Sequence, residues 1–440
     1  KIYRLHRKSV NYNMSVKIIA TGDIHIGKKS SGISVDSEVL SAKYTWNRIV
    51  ETAINEKADA VALTGDVVDQ DNRFFEAVGP LQAGFHKLNE AGIRVLIVAG
   101  NHDYDVLRQV ADAEKYDNLR ILGTNDQWQE ITLPLNGQSV RFVGWSFTSR
   151  FVHTDPLAKL SVQGSESPTI GLLHAELDTP ESSYAPVKSD NLRHHPVDAW
   201  ILGHIHKPET IRHDNPFIAY PGSPHALNPK EQGVHGPLLI TIESKNNIRV
   251  ETIPLSPVRY ETLNIDISEA EDEAGFRKLV LGETERFREV IQSDAENLRF
   301  LVLDLIISGE HAAPDKVEAW ATGIREDYQT GDEFQTSVRK VEFDIRPSVE
   351  NMEKLATESS PAGLLAQTIV AIENGDSTPF LDSLIRKWKN GVERVNNAST
   401  FQELKTHSKI LEAEEETARK EILSECKKIL GELLNQQPHD

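Results

Sequence analysis

A single cysteine, Cys426, in 440 residues leaves no partner for an intrachain disulfide and no basis for a thiolate-rich metal site. Long apolar runs are missing too. None approaches the ~18 uninterrupted residues that a membrane-spanning helix requires, so no membrane association is expected. Basic charge is scarce: 48 Lys and Arg stand against 67 Asp and Glu, for a net charge of −19. An acidic chain repels polyanions at long range, so any polyanionic ligand needs a local positive source. The imbalance is uneven, at −8 over residues 14–256 and −15 over 257–440. Residues 1–13 carry four basic and no acidic side chains. They have no apolar core and do not read as a secretory signal. Met14 opens MSVKIIATGD, which leads straight into a strand, so residues 1–13 are expected to be an extension outside the fold. Internal repeats and low-complexity tracts are also absent. What remains, 39% hydrophobic and 26% charged, is the composition of a globular protein with room for two or three domains. Cytoplasm is the default compartment for such a chain.

The first half alternates short apolar strands with amphipathic helices. KIIATGD (17–23), DAVALTGD (59–66) and IRVLIVAGNHD (93–103) read as strands, separated by helical patterns over 36–57 and 71–90. That alternation predicts βαβ units in a parallel sheet covered on both faces. After residue 125 the pattern turns to β, with a hairpin at Asn136-Gly137, strands over 169–176, 198–206 and 217–223, and a second hairpin over 238–254. Pro254-Leu255-Ser256-Pro257 marks a break. Residues 257–346 then read β-α-β-α-β, with helices over 269–294 and 314–328, and residues 347–440 read helical and polar. Near the end, Ile422, Leu423, Cys426, Ile429, Leu430, Leu433 and Leu434 share one helix face.

Chemistry-bearing side chains follow the apolar strands. GDIH supplies Asp23 and His25, GDVVD supplies Asp66 and Asp69, and GNHD supplies Asn101, His102 and Asp103. Ligand sites of parallel sheets lie at the carboxyl ends of the strands, so these loops should converge. His174 closes TIGLLH, and His204 and His206 close DAWILGHIH. In a strand, residues two apart share a face, which predicts that His204 and His206 point the same way. A buried cluster of carboxylates and imidazoles is costly without a partner, and a pair of divalent cations removes that cost. Asp66, on the middle strand, is the natural bridge, because a carboxylate has two oxygens and an imidazole cannot span two ions. Mixed oxygen and imidazole ligation suits manganese, iron or zinc better than calcium or magnesium. GDIHIGKKS (22–30) nearly matches a phosphate-cradling loop. Lys29 stands where Ser or Thr must be, so nucleotide binding there is rejected.

The ordered set Asp-x-His, Gly-Asp-x-x-Asp, Gly-Asn-His-Asp, His and Gly-His-x-His over 21–206 resembles the calcineurin-like metallophosphoesterase superfamily. The resemblance implies a four-layer α/β/β/α sandwich with two divalent metal ions. Manganese is expected, with iron, zinc or magnesium as alternatives. It implies Asp23, His25 and His206 on one ion, Asn101, His174 and His204 on the other, and Asp66 between them. A hydroxide held by both ions would attack phosphorus, and His102 would face the phosphate and protonate the leaving oxygen. Asp69 or Asp103 would orient His102, and spacing does not separate them. His194, His195, His213, His225 and His235 are surplus to the ligand set, His225 lying near its rim. The chain beyond 256 resembles the DNA repair exonucleases of the SbcD and YhaO type. That layout implies a nuclease domain over 14–256, a capping domain over 257–346 and a helical region over 347–440 that docks on an SMC-like ATPase. It also implies a homodimer joined through helices near 71–115, with DNA as substrate. The other reading is a phosphatase or phosphodiesterase for small esters, and the apolar face at 422–434 is then plain intradomain packing.

Overall fold

The structure is a computed structural model that describes residues 15–69, 77–107, 109, 116–311, 313–324, 329–330, 333–347, 352–396 and 414–435. The extension at 1–13, the start of the helix expected at 71–90, and residues 71–76, 108 and 110–115 of the 71–115 dimer segment lie outside the described residues. The chain forms two compact units. The first takes the described residues up to Thr262 with those of 288–304 and 328–339, and the second takes the rest.

In the first unit, β1 (Val16–Thr21), β2 (Ala60–Leu63), β3 (Arg94–Ile97) and β4 (Leu119–Ile121) are parallel neighbours. The antiparallel hairpin β13 (Leu238–Ser244) and β14 (Asn247–Thr252) extends that sheet beside β1. A second six-stranded sheet holds β5 (Gln129–Leu135), β6 (Gln138–Trp145), β7 (Thr169–His174), β10 (Ala199–Gly203), β11 (Glu209–Arg212) and β12 (Phe217–Tyr220). There β6, β7, β10 and β12 run parallel. A short pair, β8 (Glu176–Leu177) and β9 (Pro186–Val187), stands apart. The β5–β6 hairpin turns at Asn136 and Gly137, both at positive φ (41° and 79°), as a primed two-residue turn requires.

Strand alternation sorts the core into layers. Val16, Ile18, Ala20, Ala60, Ala62 and Leu96 face Phe142, Ile170, Leu172, Ala199 and Ile201 of the second sheet. Their neighbours Ile19, Val61, Leu63, Val95 and Ile97 face the helices α1 (Ala42–Asn55) and α2 (Val78–Glu90), where Trp46, Ile49, Phe85 and Leu88 pack. Period-two side chains with both faces buried give the near-continuous apolar runs seen in the sequence. Outside the second sheet, Leu173, Trp200, Leu202 and Tyr220 are covered by Leu157 and Leu192. Those two residues come from a 3₁₀ turn (Pro156–Lys159) and a single helical turn (Ser189–Leu192), so the fourth layer of the α/β/β/α sandwich is thin. The helix expected from residue 36 begins at 42, because the Ser41 hydroxyl accepts the Lys43 N–H (3.3 Å) and caps it.

Strands β15 (Val258–Asp266), β16 (Phe300–His311), β17 (Gln329–Thr330) and β18 (Gln335–Pro347) pair in the order β15-β16-β18-β17. The helices here run over Glu273–Ile291 and Pro314–Trp320, the first shorter than its pattern suggested, and residues 325–328 of the second expectation lie outside the described residues. In the second unit, helices Pro361–Glu373, Pro379–Asn396 and Glu415–Asn435 enclose Ala366, Ile369, Leu381, Ile385, Ile422, Cys426 and Leu430. Most of the apolar face at 422–434 is thus spent inside the unit, though Ile429 is 44% exposed. Lys427 pairs with both Glu310 (2.9 Å) and Glu373 (2.8 Å).

Candidate metal centre

Both sheets present the carboxyl ends of their parallel strands to one place. Register makes this explicit: Thr21 pairs with Leu63, Leu63 with Ile97, and Gly203 with His174. Each strand then ends in a loop carrying expected ligands. These loops hold backbone shapes that ordinary strands avoid. Asp23, His25, Asp66 and His204 all sit at positive φ (50°, 51°, 50° and 103°). Non-glycine residues pay roughly 1–3 kcal/mol for such conformations, and they collect at functional sites. Two glycines allow the close approach. A Cβ on Gly100 would enter the Asp66 carboxylate, and one on Gly203 would meet the Thr64 carbonyl.

The loops are laced together. Asp66 Oδ1 accepts the His102 N–H (2.8 Å), and the His25 N–H donates to the Asp66 carbonyl (3.0 Å). The His204 N–H lies 3.0 Å from each Asp23 oxygen, bridging the two sheets. Side chains converge to match. Donor atoms of Asp23, His25 and His206 form one group within 4.8 Å, and those of Asp23, Asp66 and His174 form another. Asn101 Oδ1 is 3.0 Å from His174 Nε2. His204 contacts the His174 ring edge-on, with centroids 5.4 Å apart. Among the described residues, all ten expected site residues are therefore in one neighbourhood, but His204 and His206 do not reach it as strand residues. Strand β10 ends at Gly203, and the positive φ of His204 breaks the two-residue alternation. His206 turns toward His25, while His204 lies against His174 and Tyr184.

The tautomers expose an unmet need. A backbone carbonyl can only accept, so His174 Nδ1, 2.9 Å from the Thr64 carbonyl, carries the proton. Its Nε2 faces Asn101 Oδ1 and Asp66 Oδ2 (3.0 and 3.4 Å). The same holds across the site. His206 Nδ1 faces the Glu231 carboxylate at 2.9 Å, and His25 Nδ1 faces that of Asp69 at 3.3 Å. Their Nε2 atoms meet at 3.0 Å. Two buried clusters of carboxylate oxygens and imidazole nitrogens, each costly without a partner, fit two divalent ions. Burial lowers His25 to about 4, and burial with the nearby His174 lowers His204 to about 3, which leaves both rings neutral. Burial raises Asp23 to about 6. Burial pushes Asp66 the same way, but His174, His25 and His102 outweigh it and hold Asp66 below the usual range. His206 is also lowered by burial, yet the Glu231 hydrogen bond and the Asp23 charge carry it above its ordinary value.

The structure separates two residues that spacing could not. Asp69 lies beside the His102 ring, 3.6 Å from Nδ1, and also pairs with Lys28 (2.9 Å). Asp103 turns away from it and accepts the N–H groups of Val67 (2.7 Å) and Gly100 (2.8 Å), tying two site loops together. Burial and the Asp66 charge push its carboxyl up to about 7. His225 is no rim residue: it is buried between Thr45 Oγ1 (2.7 Å) and Ser30 Oγ (2.9 Å). Glu231 went unread in the sequence. It is 5% exposed and takes the Ser223 hydroxyl and the Leu227 N–H as well as His206.

The sandwich of two facing sheets thus carries this His/Asp cluster at the ends of its parallel strands. Residues 16–208 match the family described as calcineurin-like phosphoesterase, and the chain carries a calcineurin-like metallophosphoesterase domain. The chain is 27% identical over 270 residues to the uncharacterized metallophosphoesterase YhaO of Bacillus subtilis, covering 60% of this chain and 66% of that protein. It is 26% identical over 318 residues to the DNA double-strand break repair protein Mre11 of Haloferax volcanii, covering 69% and 64%. It is 25% identical over 272 residues to the SbcD component of the nuclease SbcCD of Staphylococcus epidermidis, covering 56% and 71%. The first two matches span just under two thirds of the relatives' own length.

Proposed function

We propose that this protein is a two-metal DNA nuclease. The convergence of Asp23, His25 and His206, and of Asp23, Asp66 and His174, into two clusters of donor atoms carries the two-metal reading. Asp23, His25 and His206 would hold one ion, Asn101, His174 and His204 the other, with Asp66 between. When bound, such ions supply a nucleophilic water at neutral pH and offset charge on phosphate oxygens. His102, half-buried beside Asp69, then presents Nε2 for a proton to the leaving oxygen. Asp69 lies on the Nδ1 side of both His25 (3.3 Å) and His102 (3.6 Å), where its charge favours the protonated ring. Asp103 serves by bracing the loops. DNA as substrate rests on the names of the relatives, nuclease and DNA double-strand break repair protein. The same kinship supports exonuclease action on duplex ends, endonuclease action on hairpins or single strands, manganese as the metal, a homodimer, and an SMC-like ATPase partner. Residues 14–256 would form the nuclease domain, 257–346 a cap, and 347–440 the region for that ATPase.

The test is a manganese-supplemented assay on linear duplex and hairpin DNA with His102→Ala alongside. The variant is expected to bind manganese as the parent does, by calorimetry, and to lose cleavage. A parent protein that hydrolyses bis-p-nitrophenyl phosphate but cuts no DNA would reduce the reading to a small-ester phosphodiesterase.

A further inference from the structure

An aromatic ladder runs from the candidate centre toward solvent. The Tyr184 ring lies 4.7 Å from that of His204 at a 34° tilt. Phe151 lies 5.9 Å beyond Tyr184 at 47°. The ladder ends in the open, for Phe151 is 48% exposed, and the exposed Arg150 guanidinium sits 5.3 Å from its ring centre. A lone surface phenylalanine would need no explanation. This one is the last rung of a series whose first rung is an expected metal ligand.

The backbone holds the ladder in place. The Val152 N–H donates to the Ser183 carbonyl (2.8 Å), and the Ala185 N–H to the Val152 carbonyl (2.7 Å), joining the two segments that carry the rings. Ala185, fully buried, takes a left-handed conformation at φ 51°, which an alanine adopts only at a cost. That kink immediately follows Tyr184 and sets its direction over His204. The chemistry of the ladder is equally particular. Flat apolar faces beside a guanidinium bind a nucleobase by stacking and its phosphate by charge. Arg150 also adds positive charge at the open end of the ladder, on a chain of net charge −19. A phosphate ester without a ring would gain nothing from it.

We infer that Phe151 and Tyr184, with Arg150, form a stacking platform for a base of the DNA strand being cut, seated beside the scissile phosphate. The inference rests on the nuclease reading and deepens it. It predicts preference for strands whose bases are free to leave a duplex, since a paired base has no face to offer.

The experiment compares KM and kcat on two single-stranded oligonucleotides of equal length, one with normal bases and one built wholly of abasic tetrahydrofuran residues. Phe151→Ala should raise KM on the normal strand about 5- to 150-fold with little change in kcat, the range that base stacking commands. Phe151→Trp should restore it. On the abasic strand the parent and Phe151→Ala should share one KM. An unchanged KM on the normal strand, or an equal rise on both strands, overturns the platform. A parent that hydrolyses bis-p-nitrophenyl phosphate yet cuts neither oligonucleotide overturns the nuclease reading itself, and the platform with it.

Discussion

Replacing Glu231 by glutamine should weaken metal binding without unfolding the protein. Glu231 accepts four hydrogen bonds: from His206 Nδ1 (2.9 Å), Leu227 N–H (2.7 Å), Ser223 Oγ (2.9 Å) and Asn228 Nδ2 (2.5 Å). A carboxylate behind a ligating imidazole fixes its tautomer and raises its basicity, and losing it costs about 10–100-fold in affinity. That is about 1.4–2.7 kcal/mol at one of two ions. Glutamine keeps the shape and one acceptor oxygen but turns an NH2 group toward two of the four donors, so stability should fall by about 1–3 kcal/mol, less than for alanine. Glu231→Ala strips all four donors at once. Buried donors left unmet cost about 1–3 kcal/mol each and do not add, so a loss of about 3–5 kcal/mol is expected. Asn228→Ala is the control: it removes a contact to Glu231 but none to His206, so stability should fall with manganese affinity held within about two-fold. Titration calorimetry with manganese and thermal melts of the three variants supply the readouts. Wild-type affinity at both ions in Glu231→Gln would refute the argument that Glu231 acts through His206. The acid limb offers a second readout. Burial pushes Glu231 up, but His206 and the other donors outweigh it and hold the carboxyl below its ordinary 4.5. Its stabilisation is present above that ordinary value and is lost as pH falls through the lower folded one, so Glu231→Gln should unfold less steeply in acid.

Gly100→Ala should cost manganese affinity ten-fold or more, about 1.4 kcal/mol, because its Cβ would enter the Asp66 carboxylate; calorimetry on a folded variant checks it. Leu430→Ala should destabilise the helical unit by about 2–5 kcal/mol, since Leu430 is fully buried there, while manganese titration stays as in the parent. Chelation should lower the melting midpoint, and manganese at a hundred times its dissociation constant should return about 2.7 kcal/mol. A midpoint indifferent to manganese would count against the two-ion site.

Much of the centre was legible because its residues follow apolar strands of a parallel sheet, where geometry leaves them one place to go. Asp23, Asp66 and Asn101 each come within four residues of a strand whose two faces are buried. The ends of elements were less legible. DAWILGHIH alternates well enough to pass for a longer strand, but a hydrogen bond to Asp23 from 181 residues away fixes His204 outside it. Local propensity contains no trace of such a bond. Glu231 was invisible for a similar reason: a carboxylate in PKEQG looks like any solvated acid until folding places it behind His206. The choice between Asp69 and Asp103 also needed three dimensions, since the two differ only in what lies across the loop. The apolar face at 422–434 shows the opposite limit. Its periodicity was plain, but not its partner, which proves to be the unit's own helices.

The bond between the His204 amide and Asp23 also sets a clock on the ribosome. A nascent chain carries Asp23 and His25 long before His204 and His206 exist, and at about 5–20 residues per second the interval is about 10–40 s. Through that time the first sheet can form without the donors that the second supplies. A centre assembled from both ends of its own domain stays incomplete until translation has passed the last of them, so truncated products carry only part of the donor set.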